Sequence, residues 1–237
     1  MSHSAVTAET RNQDGVTIGE ARPLARWAPL TGIAFVVFFL GGVVASNAPS
    51  DDASAASWIA AYTGGGRQFS HEASGVLLVL AALSLMSFLV TTWSRVGRLR
   101  PAGRHSAVPL AAAGVSAAGI AVGGVLMALG SSVPHGFARS DPASTATLLR
   151  FANDGGFIMV AVPGMLAAAL AVAGLSLQAH RAGLFGRPME VFGIIVALIL
   201  LASLAFIPIG ALLVWLVVTA IVLVRRSAPG PDVTAAS

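Results

Sequence analysis

The sequence predicts an all-α fold: a polytopic membrane helical bundle of six transmembrane helices with two short outer interfacial helices. Three observations carry that expectation. Only 10% of the 237 residues are charged while 56% are hydrophobic, and a soluble domain carries about 25% charged residues, so too few charges remain here to solvate a globule of this size. The apolar residues gather into blocks long enough to cross a bilayer. The arginines collect at alternate ends of those blocks.

Residues 1–26 are polar and aperiodic, and read as a flexible cytoplasmic tail. Apolar blocks follow at about 27–47, 74–94, 108–132 and 155–179. Each fits one helix, since roughly 20 residues cross a hydrocarbon core about 30 Å thick. A fifth block, Met189 to Val224, would make a helix about 54 Å long, more than tilt absorbs. Its centre reads Phe206-Ile207-Pro208-Ile209-Gly210. Proline removes a helix hydrogen bond and restricts the residue before it, and glycine permits a tight reversal. Two spans, at about 189–206 and 209–224, are therefore expected, with 227–237 a second cytoplasmic tail and 27–226 the whole transmembrane domain.

Charge placement tests this count independently. With six spans and the N-terminus inside, Arg11, Arg22, Arg26, Arg95, Arg98, Arg100, Arg104, Arg181, Arg187, Arg225 and Arg226 are cytoplasmic. Only Arg67, Arg139 and Arg150 lie outside, which is the positive-inside asymmetry. A five-span count would place Arg225-Arg226 outside. The first span is longer than the h-region of a secretory signal, about 7–15 residues, and its leader is long; an uncleaved helix is expected, although Val43-Val44-Ala45 would serve as a cleavage site. The basic inner loop at 95–105 suits anionic lipid head groups. It has no interleaved aromatics, so no nucleic-acid partner is expected.

Composition also excludes chemistries. There is no cysteine, hence no disulfide framework, thiolate metal site or cysteine nucleophile. All 14 basic residues are arginine, which excludes Schiff-base chemistry. No cofactor, metal or catalytic residue is expected.

The two longer outer loops contain a repeat. DDASAASWIAAYTGGG at 51–66 stands without a gap over DPASTATLLRFANDGG at 141–156. Asp51 faces Asp141, Ala53 faces Ala143, Ser54 faces Ser144, Ala56 faces Ala146, and Gly65-Gly66 faces Gly155-Gly156. Asp51, Asp52 or Asp141 would supply an N-cap, Pro142 suits the first helical position, and glycine would end each run. Each copy is expected to be a short surface helix leading into the next span. Trp58 and Tyr62, four apart, share a helix face and suit the membrane boundary. Asn153-Asp154-Gly155-Gly156 reads as a turn and cap before the fourth span.

The spans carry almost no ionisable residue, which argues against a carboxylate proton relay. Ser84, Ser87, Thr91 and Thr92 are expected to bond their own backbone or a neighbouring helix; Glu190 is expected to cap the fifth helix. Gly119 and Gly123 have GxxxG spacing, for close packing within the chain or across a homodimer, and Pro163-Gly164 marks a kink. The reactive side chains concentrate outside. Trp58, Tyr62, Arg67, His71, Glu72, His135, Arg150 and Asp154 are the ligand-binding candidates. His71, Glu72, His135 and Asp154 have ligand chemistry for zinc, but no HExxH or similar spacing supports a metal site, and solvated loop charge is the simpler account.

The segments SWIAAYTGGGRQFSHEASGVLLVLAALSLMSFLVTTWSRV, LFGRPMEVFGIIVALILL and FIPIGALLVWLVVTAIVLVRR resemble a group of uncharacterised six-span integral membrane proteins of GC-rich actinobacteria, known only as a domain of unknown function. The likeness covers roughly residues 27–226. It implies a multi-pass protein of the bacterial plasma membrane and carries no functional residues with it. The function expected is a non-enzymatic module that binds a lipid, a hydrophobic small molecule or a membrane partner through its outer half. Its partners are then membrane lipids and a second copy of the chain or another membrane protein. Two alternatives stand beside it: a small transporter or channel subunit, and a membrane-embedded metal-dependent hydrolase.

Overall fold

The computed structural model describes residues 27–99, 106–133, 141–201 and 209–226. The two tails, the loop at 100–105, His135 and Arg139 lie outside them, as does the expected turn at Phe206–Gly210 up to Pro208; Ile209 and Gly210 are described and are helical. After a short 3-10 turn at Ala28–Leu30, the chain forms α1 (Thr31–Ser46), α2 (Ala55–Thr63), α3 (Gly65–Leu99), α4 (Val108–Gly130) and α5 (Pro142–Met159). A π turn at Val160–Gly164 joins α5 to α6 (Met165–Arg181); α7 (Arg187–Leu201) and α8 (Ile209–Arg226) follow. Among the described residues there is no strand.

Five helical stretches are long and apolar enough to cross a membrane: Ala28–Ser46, Gly65–Leu99, Val108–Gly130, Pro142–Arg181 and Ile209–Arg226. Their outward surface agrees. Val37, Leu83, Leu170 and Leu198 are each about 60% exposed, a belt of bare aliphatic side chains that water would not tolerate over so wide an area. Apolar helices with an apolar perimeter describe a membrane-embedded protein.

The helices form a closed ring in the order α1, α3, α4, α5–α6, α7, α8 and back to α1. Ring neighbours run antiparallel. Gly32 of α1 lies against Phe88 of α3 and Leu216 of α8, while Gly42 lies against Leu78. Gly193 of α7 lies against Ser176 of α6, and Pro109 of α4 against Gly174. The interior is aliphatic and aromatic, with Phe35, Leu85, Phe88, Ile120, Met165, Trp215 and Leu216 all within 1% of full burial. Phe88 meets Trp215 edge-on at 6.1 Å between ring centres.

Small residues fix how closely α4 sits in the ring. A methyl on Gly123 would lie 2.5 Å from Gly156 O, and one on Gly75 would lie 2.5 Å from Gly124 O. The GxxxG face is thus consumed inside the chain, between α4 and the α5–π segment. Two of the four hydroxyls expected to bond within the bundle, Ser87 and Thr92, do so. Ser87 Oγ donates to Leu83 O and Thr92 Oγ1 to Phe88 O within their helix, and Ser74 Oγ reaches across to Gly42 O at 2.7 Å.

Three expectations are corrected. The second repeat copy is not a separate surface helix: α5 runs from Pro142 into the bundle without a break, and Pro142–Arg181 is one helical stretch. Copy one breaks at Gly64, whose backbone is extended (φ −73, ψ 117). The matching position in copy two is Asp154, and the chain passes through it helically. Gly155-Gly156 is consequently no turn; Gly156 is small because Gly123 O and Met127 Cγ stand 2.8 and 2.7 Å from where its methyl would be. The caps divide differently as well. Asp141 Oδ2 accepts from the Ala143 and Ser144 N–H groups, but α2 is capped by Ser54 Oγ, which accepts from Ser57 N–H, and not by Asp51 or Asp52. Glu190, in the first turn of α7, pairs with His180 Nε2 of α6 at 3.3 Å, which ties the α6–α7 hairpin.

Pro163 removes one hydrogen bond from the α5–α6 stretch, and the π turn absorbs the mismatch. Arg226 Nη1 donates to Gly183 O in the α6–α7 loop, so the block from Met189 to Val224 doubles back on itself. α2 closes one end of the ring, called the capped end below. Arg95, Arg98, Arg181, Arg187, Arg225 and Arg226 gather at the other.

Candidate functional site

The capped end is built around one stack. α2 presents Trp58 and Tyr62 on a single face, their rings nearly parallel (10°) with centres 6.3 Å apart. Tyr62 in turn lies on the ring of His71, from the second turn of α3, at 4.0 Å. Arg150 of α5 places its guanidinium 5.7 Å from the Trp58 ring centre and donates from Nη2 to Ala53 O. Ala61, Ala146 and Leu149 fill the space between α2 and α5. Trp58, Tyr62 and His71 are 0, 1 and 4% exposed. These side chains are the core of a cap. They do not wall an open cleft, and the shared face of Trp58 and Tyr62 looks into the protein rather than toward lipid.

Tyr62 is the single tyrosine of the chain, and its environment is readable in solution. Burial, aided by the Asp154 carboxylate, pushes its phenol up to about 12. A folded-state pKa above the unfolded value means that the native protein keeps a proton the unfolded chain loses. Stability is therefore full below pH 10 and falls as pH rises from 10 toward 12. Absorbance titration near 295 nm is expected to give a midpoint near 12 for the folded protein and about 10 in denaturant. A folded midpoint near 10 would mean that the cap is open.

The remaining candidates are dispersed. Arg67 is exposed on the first turn of α3, its N–H bonded to Gly64 O at 2.8 Å. Asp154 and Asp51 lie at a broad open depression between the end of α1 and α5, shared with Ser46, Asn47 and Asn153. His135 lies outside the described residues. His71 and Glu72 point to different faces of α3, one buried and one exposed. Among the described residues, no three His, Asp or Glu side chains converge on a point that could hold a metal ion.

Glu72 leads to the most defined feature. It stands at one end of a groove between α3 and α4 with a volume of about 390 Å³, within the range of small-ligand sites, about 300–1,000 Å³. Gly75 and Ala128 form the floor, Val76, Val79, Leu80, Val125 and Leu129 the walls, and Ser131 and Ser132 the mouth beside Glu72. From Glu72 to Leu80 the groove runs about 12 Å along α3. Glu72 Oε1 accepts from Gln68 Nε2 at 3.2 Å and also lies 3.2 Å from Ser131 Oγ, whose single proton is shared with Ala128 O at 2.7 Å. The walls were missed in the sequence, yet a signal was there: Glu72, Val76 and Leu80 repeat every four residues, and Val125, Leu129 and Ser132 answer them on α4. An acid heading an apolar stripe on an otherwise uncharged span marks that face. Phe69 and Phe151, both 71% exposed at the capped end, were missed too; single phenylalanines in an apolar chain give no signal.

Comparison with protein-family models, with curated proteins and with solved structures finds no match to this chain.

Proposed function

We propose that this protein is a non-enzymatic membrane module that receives the apolar body of an amphiphilic ligand in the α3–α4 groove of its outer end. The groove carries the proposal: it is apolar along its length, opens sideways toward lipid, and ends in the only acidic side chain among its lining residues. The arginines at the end opposite the cap favour a cytoplasmic placement for that end. On that orientation α1, α3, α4, α5–α6, α7 and α8 are six spans with both termini cytoplasmic, in the plasma membrane of a bacterium of the kind the sequence resemblance implies. We take α2 and the first turns of α5 as two copies of a duplicated segment, and their packing on each other supports a common origin.

Transport finds less support. The ring interior is apolar around Phe35, Phe88, Ile120 and Trp215, and its buried hydroxyls at Thr92, Ser116, Ser176 and Thr219 form no hydrogen-bonded chain among the described residues. A hydrolase finds less again, because His71 is covered by Tyr62 and Asp154 belongs to a different surface.

Photolabelling with an alkyl diazirine amphiphile tests the proposal. Labels are expected to concentrate at Val76 and Leu129. Val125→Trp, which fills the groove, should remove them, while Val115→Trp on an exposed site of the same helix should not. Uniform labelling around the bundle would overturn the proposal.

A further inference from the structure

The groove is one-sided in charge, and that property names its ligand class. Its ten lining residues include one carboxylate, two serines and no cation. Glu72 Oε1 is engaged by Gln68 and Ser131, whereas Oε2 accepts no hydrogen bond among the described residues. The ion pair found there, His180–Glu190, sits at the opposite end of the bundle. Among the described residues Glu72 thus has no cationic partner where the apolar run of α3 begins, one helical turn from Val76. Carboxylates at membrane depth are costly and persist where something compensates them.

Resting on the groove reading above, we infer that the ligand is a lipophilic cation: a protonated amine on an alkyl or aryl body, its N–H groups donated to Glu72 Oε2 and its apolar part laid along Val76, Val79, Leu80, Val125 and Leu129. A charge-assisted N⁺–H···O⁻ bond is roughly twice as strong as a neutral one. The small floor of Gly75 and Ala128 leaves room for a chain without displacing either helix. A phosphate-bearing head group is disfavoured here, since it would meet Glu72 as a like charge with no cation among the described lining residues to offset it. Zwitterionic and anionic bilayer lipids are therefore competitors that the site rejects, not occupants it selects.

Equilibrium binding to the full chain in phosphatidylcholine nanodiscs tests this, with empty discs subtracted for partition. Three probes share one tail: dodecylamine, dodecanol and dodecyl phosphate. Wild type is expected to retain dodecylamine about tenfold more tightly than dodecanol and to exclude dodecyl phosphate, and Glu72→Gln should bring amine and alcohol level. The head-group comparison in wild type needs no variant, so it stands even if Glu72→Gln folds poorly. Equal binding of all three probes, abolished by Val125→Trp, would overturn the cation inference and leave the groove as a site. Preferential binding of dodecyl phosphate would overturn the inference in the same way. If no probe exceeds empty discs, both fall together.

Discussion

Gly123→Ala is expected to destabilise the bundle by about 3 kcal/mol, at the upper end of overpacking costs. The added methyl would stand 2.5 Å from Gly156 O and 2.7 Å from Val160 Cγ2. The valine tip could turn away, but the carbonyl belongs to the backbone of α5 and cannot. Relief requires α4 to move away from the α5–π segment, and α4 is fixed on its other side by Gly124, whose own methyl would meet Gly75 O at 2.8 Å. Displacement in either direction therefore disturbs a second interface. Thermal unfolding in detergent reads the effect. Gly97→Ala is the internal control, because nothing lies within 4 Å of the methyl it adds on α3; it should leave stability unchanged or raise it by up to about 1 kcal/mol through helix propensity. If Gly123→Ala unfolds at or above the wild-type temperature, the close packing of α4 described above is wrong.

Trp58→Ala should release the cap. Removing a fully buried tryptophan costs about 3–5 kcal/mol, and here the loss also strips Arg150 of the ring it lies over and Tyr62 of one stacking neighbour. α2 is nine residues long, below the roughly 12–15 at which an isolated helix holds in water, so its order depends on this packing. The expected result is rapid proteolysis within 55–63 while the bundle stays intact. Trp58→Phe separates the two contributions of the indole. Its Nε1–H is buried without a hydrogen-bond partner among the described residues, so the phenyl ring should retain much of the protection. A Trp58→Ala protein as resistant as wild type would show that α2 is held by something other than the stack.

Much of the architecture is legible in composition and punctuation. The helix that opens at Val108 begins where proline stands beside an apolar run, a signal that is plain in the sequence. The small face of α4 is legible too, since Gly119 and Gly123 recur at helical spacing. The misreadings cluster where glycine carries two meanings. Gly64 breaks a helix in solvent, whereas Gly156, in a similar local sequence, lets two helices touch inside one. Local sequence does not distinguish them, because the difference lies in what stands opposite. The same holds for the aromatic pair: spacing placed Trp58 and Tyr62 on one face, and only the position of α5 and His71 turned that face inward.

The sequence by itself determined that this is a membrane-embedded helical protein without thiol or lysine chemistry, because hydropathy and residue counts act along the chain and need no partner. The tertiary structure decided which outer residues work together. It put Trp58, Tyr62, His71 and Arg150 into a sealed cap, Asp154 into an open depression and Glu72 into a lateral groove, and it brought Glu72 of α3 beside Ser131 at the end of α4, 59 positions apart. Such pairings arise from helix rotation and closest approach, which depend on small residues such as Gly75 and Gly124 meeting across an interface that no single segment encodes.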